Sequence, residues 1–198
     1  MNRSSEPGFA EALQAVIEAL GELDSPSMVI GGVAVIALGV PRFTSDIDVT
    51  IQGRSNHPEQ VFGAFSHHGI GPRIESALEF ARARQVVLAL HEPSGISIDA
   101  SLAWLPFEEE AIQSSLATEF AGVSIRVPKP EDLLIYKLVA CRPLDVEDAK
   151  GLLLLYGKEM DLDRVRGLIQ QFSEVLGDPI HTETLERLLR KTLGKEKE

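Results

Sequence analysis

The 198-residue sequence has one cysteine, few aromatic residues and no long hydrophobic run. With Cys141 alone the chain can form no internal disulfide, which is typical of a reducing compartment. No apolar segment reaches the ~18 residues needed to span a bilayer, and the N-terminal MNRSSEPGF lacks the apolar core of a signal peptide. We therefore expect a cytoplasmic protein without a membrane partner.

Basic residues are also scarce, since 19 Lys and Arg stand against 30 Asp and Glu, for a formal net charge of −11. Nucleic-acid backbones must be met by clustered basic side chains, so this balance disfavours general nucleic-acid binding. A bound triphosphate is still allowed, because a divalent cation between carboxylates and phosphates changes the sign of the local field. An acidic chain also leaves room for a cationic acceptor molecule.

Composition and periodicity predict a folded core followed by a helical region. Hydrophobic residues make up 44% and charged residues 25% of the chain, as in globular proteins. From Pro130 the pattern changes to segments that start with proline or acidic residues and close near glycine, as helices do. We predict a core over residues 1–128 and a C-terminal helical bundle over 129–198. The predicted helices of the bundle cover residues 130–142, 145–157, 161–177 and 182–194.

The start of the core contains a glycine pair at a predicted turn. An amphipathic helix is predicted over residues 9–23, and the apolar segment 28–30 predicts a short buried strand. Gly31-Gly32 follows that strand and precedes a short apolar helix, which we expect Pro41 to end. Glycines at a strand-to-helix turn let a phosphate approach backbone N–H groups.

Alternating residues predict two strands further along the core. Residues 46–51 and 96–101 alternate between polar and apolar, the pattern of strands with one buried face. The apolar run 85–91 and the turn at 93–95 precede the second strand, which indicates a hairpin. A helix is predicted between the two alternating strands, over residues 58–69.

Three aspartates share one parity on the two alternating strands. Asp46 and Asp48 point to the same face of their strand, and an adjacent strand could bring Asp99 to that pair. Carboxylates this close share a proton or bind a cation, and hard oxygen ligands suit Mg²⁺ or Mn²⁺ bridged to phosphate. The sequence therefore predicts a carboxylate metal site, with enough ligands for two metals.

Together these features resemble the nucleotidyltransferase superfamily, through VIGGVAVIALGV, then FTSDIDVTI, then ISIDASL, over residues 26–102. The resemblance implies a nucleotidyltransferase-like α/β (α+β) core, with a small mixed β-sheet flanked by helices. It implies that Asp46 and Asp48 are metal ligands and that Asp99 is a ligand and general base. The residues that would border the triphosphate are Gly31, Gly32, Arg42 and Ser45.

The segment RVPKPEDLLIYKLVACRPLDVEDAKGLL resembles the post-core helices of the AbiEii-type branch, toxin-like transferases of bacterial toxin–antitoxin pairs. By that resemblance Lys137 reaches a phosphate, and Asp145 and Asp148 complete the site or orient Lys137. A toxin role and a cognate antitoxin partner are implied in the same way. From the residues alone, Lys137 could instead project from the edge of an apolar helix face into solvent. Asp145 and Asp148 could be a helix cap and a first-turn acid.

Other charged and polar residues have simpler interpretations than catalysis. Arg73, Arg82 and Arg84 could line an acceptor groove, but scattered surface charge explains them better. The adjacent His67 and His68 show no metal-ligand spacing and fit ordinary surface positions.

The same residues also allow other functions. The string DIDVT matches the DxDxT motif of haloacid-dehalogenase-type phosphatases, which need an apolar strand running into the first aspartate. A glycosyltransferase could use an Asp-x-Asp pair, and an inactive nucleotide-binding or antitoxin-like module would keep the fold without the reaction. We expect a metal-dependent transferase that moves a nucleoside monophosphate from ATP or another triphosphate to an acceptor hydroxyl. RNA, a protein and a cationic small molecule are the candidate acceptors.

Overall fold

The computed structural model describes residues 7–53 and 57–194, and these contain nine helices and seven strands. The helices, numbered α1 to α9 in chain order, are Pro7–Gly21, Gly31–Ala37, Pro58–His67, Ala77–Arg84, Pro106–Gln113, Pro130–Ala140, Pro143–Tyr156, Leu162–Leu176 and Ile180–Thr192. The strands, β1 to β7, are Ser27–Ile30, Asp46–Gln52, Ile70–Pro72, Val86–His91, Ile96–Ala103, Leu116–Phe120 and Val123–Val127. None of the described helices is long and apolar enough to cross a membrane.

A five-stranded sheet with the order β1-β2-β5-β4-β3 forms the centre of the core. The neighbours β2 and β5 run parallel, and the other pairs in this sheet are antiparallel. The predicted hairpin is confirmed as β4 and β5, which pair from Val86↔Ser101 to His91↔Ile96. The predicted small mixed sheet with flanking helices is therefore confirmed.

Several elements of the core were not predicted from the sequence. The strands β6 and β7 form a separate hairpin, whose two-residue turn places Ala121 at φ 51° and Gly122 at φ 81°. Such turns favour Asn-Gly or Asp-Gly, so Ala-Gly gives a weak signal. The short β3, the helix α4 and the helix α5 were also not predicted.

The chain divides into two compact units. The first contains residues 1–37 and 41–128, and the second contains residues 38–40 and 129–198. The prediction that α2 continues to Pro41 is wrong, because α2 ends at Ala37 and Gly39 has a non-helical φ of +90°.

Residues 38–40 belong with the helices of the second unit. The Tyr156 hydroxyl donates a 2.7 Å hydrogen bond to the Leu38 carbonyl oxygen. Val40 packs against Gly151, where an added Cβ would lie only 2.5 Å from a Val40 methyl. These contacts hold residues 38–40 against α7 of the second unit. The chain therefore leaves the helical path of α2 directly after Ala37.

The predicted C-terminal helices are present as α6 to α9. Leu133, Leu138 and Leu152 are fully buried on α6 and α7, as expected for a helical bundle with an apolar core. A carboxylate also links two of its helices, since Arg164 Nη1 on α8 donates a 2.6 Å hydrogen bond to buried Asp132 on α6. The second unit is therefore stabilised by both apolar packing and ion pairing.

Candidate active site

One row of residues crosses the central sheet at the level of Asp48. From β1 to β4 the row contains the cross-strand partners Ile30, Asp48, Asp99 and Leu88. Arg73, directly after β3, extends it, because its backbone N–H donates to the Leu88 carbonyl oxygen at 3.1 Å. Cross-strand partners project from the same face about 5 Å apart, so the Asp48 and Asp99 side chains are neighbours.

The other face of β2 fixes the direction of its aspartates. Ile47, Val49 and Ile51 are completely buried, so Asp46 and Asp48 must project from the opposite face. Asp46 is the first residue of β2 and is exposed. Slipping the strand by one residue would bury both carboxylates and expose the isoleucines, which strongly disfavours another register.

A buried threonine orients Asp46. The Thr44 hydroxyl donates a 2.8 Å hydrogen bond to Asp46 Oδ1, and Thr44 is only 3% exposed. Sequence reasoning did not assign Thr44 a role in the site. The available signal was a hydroxyl residue two positions before an aspartate, a common local hydrogen-bonding pattern.

The glycine pair leaves room for three side chains of the site. Gly31 has φ +61°, and a Cβ there would overlap Asp48 Oδ2 and lie 2.8 Å from Asp48 Cβ. A Cβ on Gly32 would lie 2.7 Å from Thr44 Cβ and 3.1 Å from Arg42 Cζ. The pair therefore lets the backbone pack directly against Asp48, Thr44 and Arg42.

The remaining residues predicted to border the triphosphate lie in the loop before β2. Arg42 Nε donates a 3.1 Å hydrogen bond to the Phe43 carbonyl oxygen, and its guanidinium lies beside Gly32. Ser45 is exposed and lines a small cavity together with Phe43. The structure thus brings Arg42 and the glycine pair together, with Ser45 adjacent to Asp46 in the chain.

Asp99 is in contact with a cation of the protein itself. Arg73 Nη2 lies 2.7 Å from Asp99 Oδ1, with the two side chains 29% and 40% exposed. That oxygen is shielded from solvent, yet the contact lacks hydrogen-bond alignment and is an ion pair only. The interpretation of Arg73 as scattered surface charge is therefore wrong.

The chemistry of the three aspartates fits a hard divalent cation, although their side chains do not form a closed ligand set. In residues 7–53 and 57–194, no three His, Cys, Asp or Glu side chains are grouped closely enough to hold a metal ion. Asp46, Asp48 and Asp99 nevertheless supply carboxylate oxygens from one sheet face, as Mg²⁺ and Mn²⁺ sites do.

Lys137, Asp145 and Asp148 form a separate buried cluster within the second unit. Lys137 Nζ lies 3.1 Å from Asp145 Oδ1 and 3.0 Å from Asp148 Oδ2, and all three side chains are at most 6% exposed. Both carboxylates therefore orient Lys137, and the interpretation of a lysine that projects into solvent is wrong. Triphosphate binding by these residues stays a prediction.

The charge of the cluster is balanced by two basic groups. Burial alone would raise the pKa of Asp145, but the hydrogen bond from Arg142 and the charge of Lys137 outweigh burial and hold that pKa below its ordinary value. Asp145 therefore stays ionised at neutral pH. This arrangement stabilises the packing of α6 against α7.

Comparisons with known proteins agree with this architecture. Residues 10–191 match the model of a family described as "Nucleotidyltransferase of unknown function (DUF6036)". Similar solved structures include ANT(2″)-Ia in complex with adenylyl-2″-tobramycin, at 17% identity and a TM-score of 0.56, covering 83% of this chain and 97% of that one. A Helicobacter pylori protein described as a nucleotidyltransferase has 17% identity and a TM-score of 0.54 over 100% of both chains. No curated protein matches the sequence.

The buried position of Lys137 predicts a large stability change when its charge is removed. We expect Lys137→Met to lower the free energy of unfolding by about 3 kcal/mol, because it leaves two buried carboxylates without their shared cation. Lys150→Met is the matched control on α7, since Lys150 is 44% exposed and its partner Glu147 is 69% exposed. It should cost less than about 1 kcal/mol. Urea unfolding followed by circular dichroism measures both, and equal losses would contradict the structural role of the cluster.

The close packing of Gly31 against Asp48 predicts that alanine substitution changes stability in opposite directions at Gly31 and at Gly63. Gly31→Ala should destabilise the protein by about 2 kcal/mol, because the methyl group overlaps Asp48 and φ is positive. Gly63→Ala, in α3 with no atom near the added Cβ, should instead stabilise it by about 0.5–1 kcal/mol. Denaturant midpoints of the two variants that shift in the same direction would argue against the close packing of Gly31 and Asp48.

Proposed function

This chain belongs to the family "Nucleotidyltransferase of unknown function (DUF6036)", and we propose that it transfers a nucleoside monophosphate from ATP or another triphosphate to an acceptor hydroxyl through Asp46, Asp48 and Asp99. The observation that carries the proposal is the in-register pairing of Asp48 with Asp99 on neighbouring strands. Asp46 projects from the same face two residues before Asp48. The proposal depends only on residues of the first unit.

The reaction forms a bond between the acceptor oxygen and the α-phosphorus and breaks the bond from that phosphorus to the β-phosphate bridging oxygen. Pyrophosphate leaves with that bond's electron pair. Asp99 takes the hydroxyl proton, and its 40% exposed side chain leaves room for an acceptor to approach. When bound by Asp46, Asp48 and Asp99, Mg²⁺ or Mn²⁺ supplies the positive charge that the phosphates and the leaving group need.

The residues around the aspartates position the triphosphate in this proposal. Gly31 leaves room for the Asp48 carboxylate, and Gly32 leaves room for Thr44 and Arg42, so the glycine pair determines where these side chains meet the triphosphate. The Arg42 guanidinium, beside Gly32, offers a fixed positive charge and several donors to phosphate oxygens. Thr44 keeps Asp46 directed along the same face. Catalysis then rests on positioning and charge.

The position of Asp46 argues against the phosphatase alternative. That mechanism needs an apolar strand running into the nucleophilic aspartate, whereas Asp46 is itself the first residue of β2. Its Oδ1 also accepts the hydrogen bond from Thr44. The transferase proposal uses Asp46 only as a ligand, which suits an exposed residue at a strand start.

The charge of the chain favours a cationic small molecule as acceptor. A net charge of −11 opposes a polyanionic acceptor such as RNA and attracts a cation. The fold is similar to that of ANT(2″)-Ia, whose structure was determined in complex with adenylyl-2″-tobramycin. The toxin role and the antitoxin partner rest on sequence resemblance to the AbiEii-type branch alone.

Isotope position in the triphosphate tests the proposed reaction. The protein is incubated with Mg²⁺, a cell extract and a triphosphate labelled on the α- or the γ-phosphorus. We expect label in acceptor molecules only from the α-position, with pyrophosphate released. Asp48→Asn should lower this transfer by at least about 100-fold, because a metal ligand contributes several kcal/mol to the transition state.

Asp24→Asn is the matched control, since Asp24 is an exposed aspartate in the same unit. It makes the same change of charge and should transfer label at the rate of the unmodified protein. Label appearing in the protein or in inorganic phosphate from the γ-position would support a phosphatase. Unreduced transfer by Asp48→Asn would overturn the assigned site. Label found mainly in RNA would contradict the cationic acceptor.

A further inference from the structure

The fold fixes Arg73 at the end of the row that contains the two paired aspartates. Its backbone is held by the hydrogen bond to Leu88, directly after Pro72 pairs with Ala89. Because β4 lies between β3 and β5, the Arg73 side chain passes over Leu88 to reach Asp99. Leu88 is uncharged, so the nearest carboxylate to the Arg73 guanidinium in this row is that of Asp99.

Arg73 and a metal ion would compete for the Asp99 carboxylate. Arg73 Nη2 lies 2.7 Å from Asp99 Oδ1, an oxygen already shielded from solvent. A guanidinium does not lose its proton in proteins, so its charge can leave Asp99 only if the side chain moves. A cation bound between Asp48 and Asp99 would be repelled by a guanidinium in this position.

We propose that Arg73 is a positioning residue for Asp99, which it holds in the metal-free protein, and that a divalent cation must displace it to bind. This inference rests on the proposed function, because it uses Asp99 as a metal ligand. Arg73 neutralises one of two adjacent carboxylates while no cation is bound. Since both side chains are partly exposed, the ion pair is weak enough for a cation to exchange with it.

A direct metal titration without nucleotide tests the exchange. Free Mn²⁺ is followed by electron paramagnetic resonance while it is titrated into the full chain and its variants. We expect Arg73→Gln to bind Mn²⁺ about fivefold more tightly than the unmodified protein, because a partly exposed competing charge is lost. Arg73→Lys keeps the charge and should restore most of the original affinity.

Arg84→Gln controls for the change in net charge, because Arg84 is exposed on α4 in the same unit. Its affinity for Mn²⁺ should stay close to that of the unmodified protein. In an Asp99→Asn background, Arg73→Gln should no longer change the affinity, since the competition passes through Asp99.

The outcomes separate this inference from the proposed function. Mn²⁺ could bind the unmodified protein, with binding that depends on Asp48, while Arg73→Gln leaves the affinity unchanged or lower. That result would overturn the proposed displacement of Arg73 and would still support the metal site. A gain equal to that of Arg84→Gln also overturns the exchange, because it would reflect net charge alone. If Mn²⁺ does not bind the unmodified protein at all, the metal site of the proposed function fails and the inference fails with it.

Discussion

The parallel pairing of β2 with β5 is the interaction on which the candidate site depends. It places Asp48 directly opposite Asp99, and it puts Ile47 opposite Ile98 on the buried face. Two like charges about 5 Å apart repel, so the apolar packing on the other face holds them together against that repulsion. The packing of the core therefore keeps the Asp48 and Asp99 carboxylates adjacent. Such a pair needs a positive charge between or beside its members.

The surroundings of the pair supply that charge. Arg73 contacts Asp99, Arg42 lies beside the glycine pair, and the absence of a side chain at Gly31 admits the Asp48 carboxylate. A nucleotidyltransferase needs carboxylates for a metal ion and donors for phosphates, and both are present around this pair.

Sequence reasoning found what depends on local periodicity. The period-2 pattern predicted the two aspartate strands and their common face, because side chains alternate along any strand. Contacts made by segments without a periodic signal were not predicted. The three residues of β3, Ile70–Pro72, carry no periodic signal, so the row that directs Arg73 to Asp99 could not be seen. For a similar reason periodicity alone allowed Lys137 to project into solvent, since Asp145 and Asp148 lie on the next helix. The resemblance to the AbiEii-type branch did predict that these carboxylates complete the site or orient Lys137.

We propose above all that Asp48 and Asp99 together hold a divalent cation against the phosphates of a nucleoside triphosphate. Crystals grown with Mn²⁺ and a non-hydrolysable triphosphate, measured at the manganese absorption edge, test it most directly. We predict an anomalous peak within ligand distance of carboxylate oxygens from both aspartates and of a phosphate oxygen, with the Arg73 guanidinium moved off Asp99. A peak elsewhere on the protein, with the Arg73–Asp99 ion pair intact and the triphosphate bound, would contradict the claim.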